Sequence, residues 1–93
     1  MSDYIAPIRD MQFVMQELAG LDEVGALPGC EEVTPDLVDA ILEAANKLAS
    51  EVLSPMNVVG DREGAKWTDG QVSTAPGWKQ AYEQYVAGGW PGM

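Results

Sequence analysis

The chain has 93 residues with fifteen acids against five bases, a formal net charge of −10, and 46% hydrophobic residues. It is one small domain or a piece of a larger one, too apolar for a disordered chain. The acidity and the scattering of Arg9, Lys47, Arg62, Lys66 and Lys79 argue against nucleic acid or an anionic membrane as partner.

Met1 to Ala6 reads as a short lead with Tyr4 and Ile5 available for docking. Pro7 can open a first helix running to about Ala19, with Ile8, Met11, Val14 or Met15, and Leu18 on its inner face. Gly20 is placed as its C-terminal cap. Leu21 to Val33 mixes acids, two glycines and a proline, and reads as a loop with one helical turn.

The stretch TPDLVDAILEAANKLASEVLSP, Thr34 to Pro55, predicts a long amphipathic helix. Thr34 is a natural N-cap, Pro35 suits the first helical position, and Asp36 and Asp39 meet the positive end of the helix dipole. Leu37, Ile41, Ala45, Leu48 and Val52, flanked by Val38, Leu42, Ala49 and Leu53, make a wide apolar face that needs a cover. Pro55 is expected to stop this helix, leaving Met56 to Ala65 as a polar connection.

In Lys66 to Thr74, Asp69-Gly70 between Trp67 and Val72 signals a type I′ hairpin, expected to clip the connection onto the helices. A third helix is expected from Thr74–Gly77, with Pro76 in its first turn and Gly88-Gly89 ending it. Trp78, Tyr82, Tyr85 and Val86 fall on one side of it. Trp90 follows with no evident partner. The expected fold class is therefore all-α, with three helices of roughly 12, 20 and 12 residues and a small hairpin between the second and third.

No self-contained catalytic constellation is visible. Cys30 is the only cysteine and there is no histidine, so a loop or partly buried thiol is the reading for Cys30. Asp61, Glu63 and Asp69 suggest a calcium loop at first sight. Counted from Asp61, however, positions five, six and twelve are Ala65, Lys66 and Val72, where an EF-hand needs an oxygen ligand, a glycine and a glutamate. The pairs Asp22-Glu23 and Glu31-Glu32 are solvated loop charges. The glycines of GGWPG lack dinucleotide or P-loop spacing. No catalytic, cofactor-binding or metal residue is assigned. No apolar run approaches the ~20 residues of a membrane span, and the start lacks the pattern of a secretory signal. The chain is read as cytoplasmic.

Three stretches together carry a resemblance: YIAPIRDMQFVMQEL, TPDLVDAILEAANKLASEVLSPMNVVGDREG and DGQVSTAPGWKQAYEQYVAGGWPG. In order and spacing they resemble the N-terminal region of the acyl-CoA dehydrogenase family, in its larger bacterial subgroup with an N-terminal extension. The resemblance covers nearly the whole chain. EVLSPMNVVGDREG combined with AYEQYVAGGWPG is its most specific part.

The resemblance implies a helical front segment spanning residues 1–93. Residues 1–33 would be the extension helix and loop, and 34–93 the long helix, hairpin and third helix. Family members are flavoproteins that oxidise an acyl-CoA thioester to its trans-2-enoyl form. A glutamate removes the α-proton while the β-hydride passes to FAD. The flavin and catalytic regions would lie beyond Met93, so FAD and acyl-CoA belong to the intact protein and no activity or cofactor is expected of this segment. Tyr85, Trp90 and the nearby glycines would lie where the family chain turns towards its substrate cleft.

The apolar helix faces would pack against the remainder of the dehydrogenase chain, or self-associate as a two-fold dimer. The alternative is a free-standing small acidic helical protein that works through protein–protein binding. Gly89-Trp90-Pro91-Gly92 reads as chain passing onward and favours the first of these.

Overall fold

The computed structural model describes residues 4–92. The first three residues of the expected lead and the final residue of the tail lie outside that range. The chain divides into two units, residues 5–47, and residues 48–92 together with Tyr4.

In the first unit, α1 (Ile8–Phe13) runs directly into a π-turn (Val14–Leu18). The Ala19 N–H reaches back five residues to the Val14 carbonyl at 2.8 Å. The first helix thus has its expected extent but a widened second half. Gly20 then takes φ 72°, the left-handed conformation that a helix-ending glycine supplies without a Cβ penalty. The expected helical turn in the following loop is α2 (Leu21–Gly25). Gly25 lets α2 approach Val33 closely, because a Cβ there would lie 2.8 Å from the Val33 carbonyl oxygen.

α3 (Pro35–Leu48) begins as its sequence dictates. The Thr34 hydroxyl accepts the Leu37 N–H at 3.2 Å, satisfying one orphan donor of the first turn. Asn46, on the same helix, accepts the Ala6 N–H at 2.8 Å and ties Ala6 to it. The half-buried stripe is Val38, Ile41, Leu42 and Ala45, whereas Leu37 is exposed, so the inner face lies slightly to one side of the one expected.

Pro55 does not stop the long helix. A second π-turn (Ala49–Leu53) follows α3, and α4 (Ser54–Glu63) continues from it. The physical reason is local. An α-helical backbone would set the Pro55 ring against the carbonyl four residues earlier. The π-turn instead carries the Ser54 N–H five residues back to the Ala49 carbonyl and opens the backbone there. Pro55 then falls in the first turn of α4, where its missing N–H is not required. The expected polar connection 56–65 is consequently helical to Glu63. Met56, Val58 and Val59 are half-buried along it, and tertiary packing overrides the turn preference of Asn57 and Gly60.

The hairpin is β1 (Lys66–Thr68) paired antiparallel with β2 (Gln71–Ser73), in register Lys66↔Ser73, Trp67↔Val72 and Thr68↔Gln71. Asp69 (φ 51°) and Gly70 (φ 79°) both take positive φ, as a type I′ turn requires. All six strand residues are exposed. The hairpin therefore does not clip the connection by burying Trp67 or Val72, each of which is 71% exposed.

α5 (Trp78–Ala87) starts two residues after Pro76, which precedes the helix rather than sitting in its first turn. Gly77 supplies a left-handed N-cap at φ 86°, and Gly88-Gly89 closes the helix with Gly89 at φ 79°. A 3₁₀ turn (Trp90–Gly92) follows. Trp90 does have a neighbour, since its indole lies over Gly88 so closely that a Cβ there would meet Nε1 at 2.8 Å.

The all-α class holds, with three main helical stretches and the hairpin between the second and third. The core is thin. Among the described residues the buried apolar ones are Ala6, Ala75 and Ala81, and none of the large side chains is fully buried. Most of the stabilisation expected of a folded domain comes from burying large apolar side chains, so these helices retain faces able to accept more packing.

Candidate functional site

An aromatic-lined groove runs between α4 and α5, within the second unit. It holds about 310 Å³ and is lined by Leu53, Met56, Asn57, Trp78, Ala81, Tyr82 and Tyr85. Helical periodicity builds it. Leu53, Met56 and Asn57 recur at steps of three and four on one wall, and Trp78, Ala81, Tyr82 and Tyr85 do so on the other. Ala81, 7% exposed, is the small residue at its base.

Glycines fix the walls. Gly60 admits the Trp78 ring against α4, because a Cβ at 60 would sit 2.7 Å from Cζ2. The Trp78 Nε1–H donates to the Met56 carbonyl at 3.4 Å. Gly77 in turn makes room for the Met56 sulfur, which would be 2.8 Å from a Cβ there. Tyr82 and Tyr85 stand one helical turn apart, with ring centroids 6.2 Å apart and tilted by 38°.

Further clefts lie in the same unit, among them one on the hairpin along Thr68, Asp69, Gln71, Val72 and Ser73 and two beside the helices. One of these two, of about 270 Å³, runs along Glu51, Val52, Pro55, Met56, Gly77, Gln80, Ala81 and Gln84. The other is bounded by Tyr4, Ala49, Leu53, Ser54 and Asn57, where the Tyr4 N–H donates to Ser54 Oγ at 3.3 Å.

No carboxylate, amine or thiol lines the aromatic groove; the polar groups along it are the Tyr82 and Tyr85 phenols, the Asn57 amide and the Trp78 indole N–H. It also has no cation to meet a pyrophosphate, and Glu51 in the neighbouring cleft has the wrong charge for one. The groove is a surface for apolar contact.

The acidic candidates are dispersed. Asp61 and Glu63 lie exposed in the last turn of α4, and Asp69 lies in the hairpin turn. Among the described residues no group of three acids or thiols comes together as a metal site. Cys30 is half-buried in the loop before α3, and its N–H donates to the Leu27 carbonyl at 3.0 Å. Glu31 beside it has a carboxyl held below its ordinary pKa, because it accepts backbone N–H groups from Glu31 itself and from Gly29, the latter at 3.2 Å. Asp39 has one oxygen closed to solvent without a hydrogen-bond partner among the described residues. Tyr85 lines the groove, whereas Trp90 does not. Met56 and Asn57, placed in a loop by the sequence reading, are the residues that reading missed. The signal that finds them is the i, i+3, i+4 spacing of Leu53, Met56 and Asn57 carried through Pro55.

No protein-family model matches the chain. A curated protein does. Over 90 residues, 97% of this chain, the sequence is 36% identical to 3-methylmercaptopropionyl-CoA dehydrogenase of Ruegeria pomeroyi. That match supports the acyl-CoA dehydrogenase family. The chain spans about 15% of the dehydrogenase's length. Among the described residues no helix is long and apolar enough to cross a membrane.

Proposed function

We propose that this chain is the N-terminal helical segment of an FAD-dependent acyl-CoA dehydrogenase of the larger bacterial subgroup, and that it supplies packing surface rather than catalytic groups. The observation that carries the reading is the match itself, 36% identity along almost all of this chain but only 15% of the relative. The thin core supports it: among the described residues the buried apolar ones are three alanines, of which Ala81 alone lies in a helix, so the helices keep faces that other polypeptide can complete. The groove supports it as well, being largely apolar and lined by no carboxylate, amine or thiol.

On this reading the intact protein removes hydrogen across the α,β bond of an acyl-CoA thioester in acyl-CoA catabolism. The proton-abstracting carboxylate and the flavin contacts come from polypeptide outside these 93 residues. The name of the Ruegeria relative makes 3-methylmercaptopropionyl-CoA the first substrate to screen, followed by straight-chain acyl-CoAs.

The test is the native gene product, captured with an antibody against this segment and analysed by intact mass, absorption spectrum and dye reduction. A product far above 10.0 kDa with flavin absorption and acyl-CoA-dependent dye reduction is expected. A colourless product at 10.0 kDa overturns the reading.

A further inference from the structure

We propose that the groove between α4 and α5 is the seat of an apolar segment from the dehydrogenase's own remaining polypeptide, which closes over Met56, Ala81 and Tyr82. The inference rests on the reading above and adds the surface and the kind of occupant.

Three observations carry it. First, the groove is preformed. Its walls are set by the Gly60–Trp78 approach, the Trp78 bond to the Met56 carbonyl and the Gly77–Met56 approach, so an occupant meets fixed walls. Its base is a single methyl group, Ala81, while Leu53, Trp78, Tyr82 and Tyr85 stand 36–65% exposed around it. Small floor and large walls are the shape of a socket for one bulky aliphatic or aromatic side chain.

Second, size and charge disfavour a second copy of this chain. The exposed parts of those four side chains offer on the order of 400 Å² of apolar surface, about half of one side of a standard interface. Two copies would also bring together chains of net charge −10. A segment of the same polypeptide needs far less area, since tethering replaces free concentration with an effective one in the ~mM range.

Third, the 36% match leaves about 85% of the relative's length unaccounted for by this chain, which is ample polypeptide to supply such a segment.

Hydroxyl-radical footprinting of the native gene product, read by mass spectrometry, tests this. Labelling of Met56, Tyr82 and Trp67 is compared between the folded protein and the same protein unfolded in urea. Tyr82 is 65% exposed in this chain, so without an occupant its labelling changes less than about twofold, whereas core-like burial cuts it about fivefold or more. The expected result is strong protection of Tyr82 and Met56, undiminished on dilution, with Trp67 of the hairpin still reactive. A long flavin-containing product with Tyr82 unprotected overturns this proposal and leaves the family reading standing. Protection that disappears on dilution assigns the groove to a second copy and overturns it too. A product of 10.0 kDa overturns both.

Discussion

Gly60→Ala is the sharpest probe of how α4 meets α5. An alanine at an interior helix position is favoured over glycine by about 1 kcal/mol, so in an isolated helix the change stabilises. Here the added Cβ would lie 2.7 Å from Trp78 Cζ2 and 3.2 Å from Cε2, well inside contact distance. Relieving that overlap by shifting the ring costs about 1–3 kcal/mol, as overpacking does. It also strains the Nε1–H bond to the Met56 carbonyl, a contribution of about 1 kcal/mol. Overpacking wins, and the net effect is a loss of about 1–2 kcal/mol, or roughly 4–15 °C in Tm for a domain this small. Thermal and urea unfolding followed at 222 nm would measure it. The partner variant fixes the cause. In a Trp78→Ala background the obstruction is gone, so Gly60→Ala should change sign and stabilise by about 1 kcal/mol. If Gly60→Ala stabilises the parent protein, or destabilises both backgrounds equally, then Trp78 does not pack on Gly60 and the groove's wall is wrongly placed.

Three further outcomes follow from local geometry. Thr34→Ala removes the cap that accepts the Leu37 N–H and should cost about 1 kcal/mol, while Thr34→Ser should cost little; chemical denaturation compares them. Pro55→Ala should alter stability by less than about 1 kcal/mol, because this proline sits in a first turn, whereas an interior proline would give back about 3 kcal/mol on removal. For Glu31 the folded pKa is depressed, so its bond to Gly29 is fully present above the ordinary carboxylate pKa and is lost as pH falls through the folded one. The Gly29 amide resonance should follow that acid-side transition by NMR and should lose it in Glu31→Gln.

The features legible in the sequence were those decided within a few residues. Thr34-Pro35 marks a helix start whatever surrounds it, and Asp69-Gly70 fixes its turn by steric tolerance of positive φ. Gly20 and Gly89 end helices for the same reason. Pro55 misleads because a proline's effect depends on the hydrogen-bond pattern before it. A five-residue reach from Ser54 to Ala49 converts an interior proline into a first-turn one, and no short-range signal announces a π-turn. That misplacement hid the groove, since Met56 and Asn57 form a wall only when the helix continues. Trp78, Tyr82 and Tyr85 were visible as a stripe, yet what they face is a long-range fact carried by Gly60 and Gly77.

The hairpin has a consequence for handling the protein. It is a two-stranded ribbon, so each strand has an outer edge without a strand neighbour, and its Trp67–Val72 pair faces solvent. Such an edge has backbone groups open to pairing, and at neutral pH mutual repulsion between strongly acidic chains opposes it. Near the isoelectric point of about 4.1 that repulsion vanishes while the ribbon edge persists. Acidic buffers are therefore where copies of the chain are expected to associate, and concentration and storage belong well above that pH.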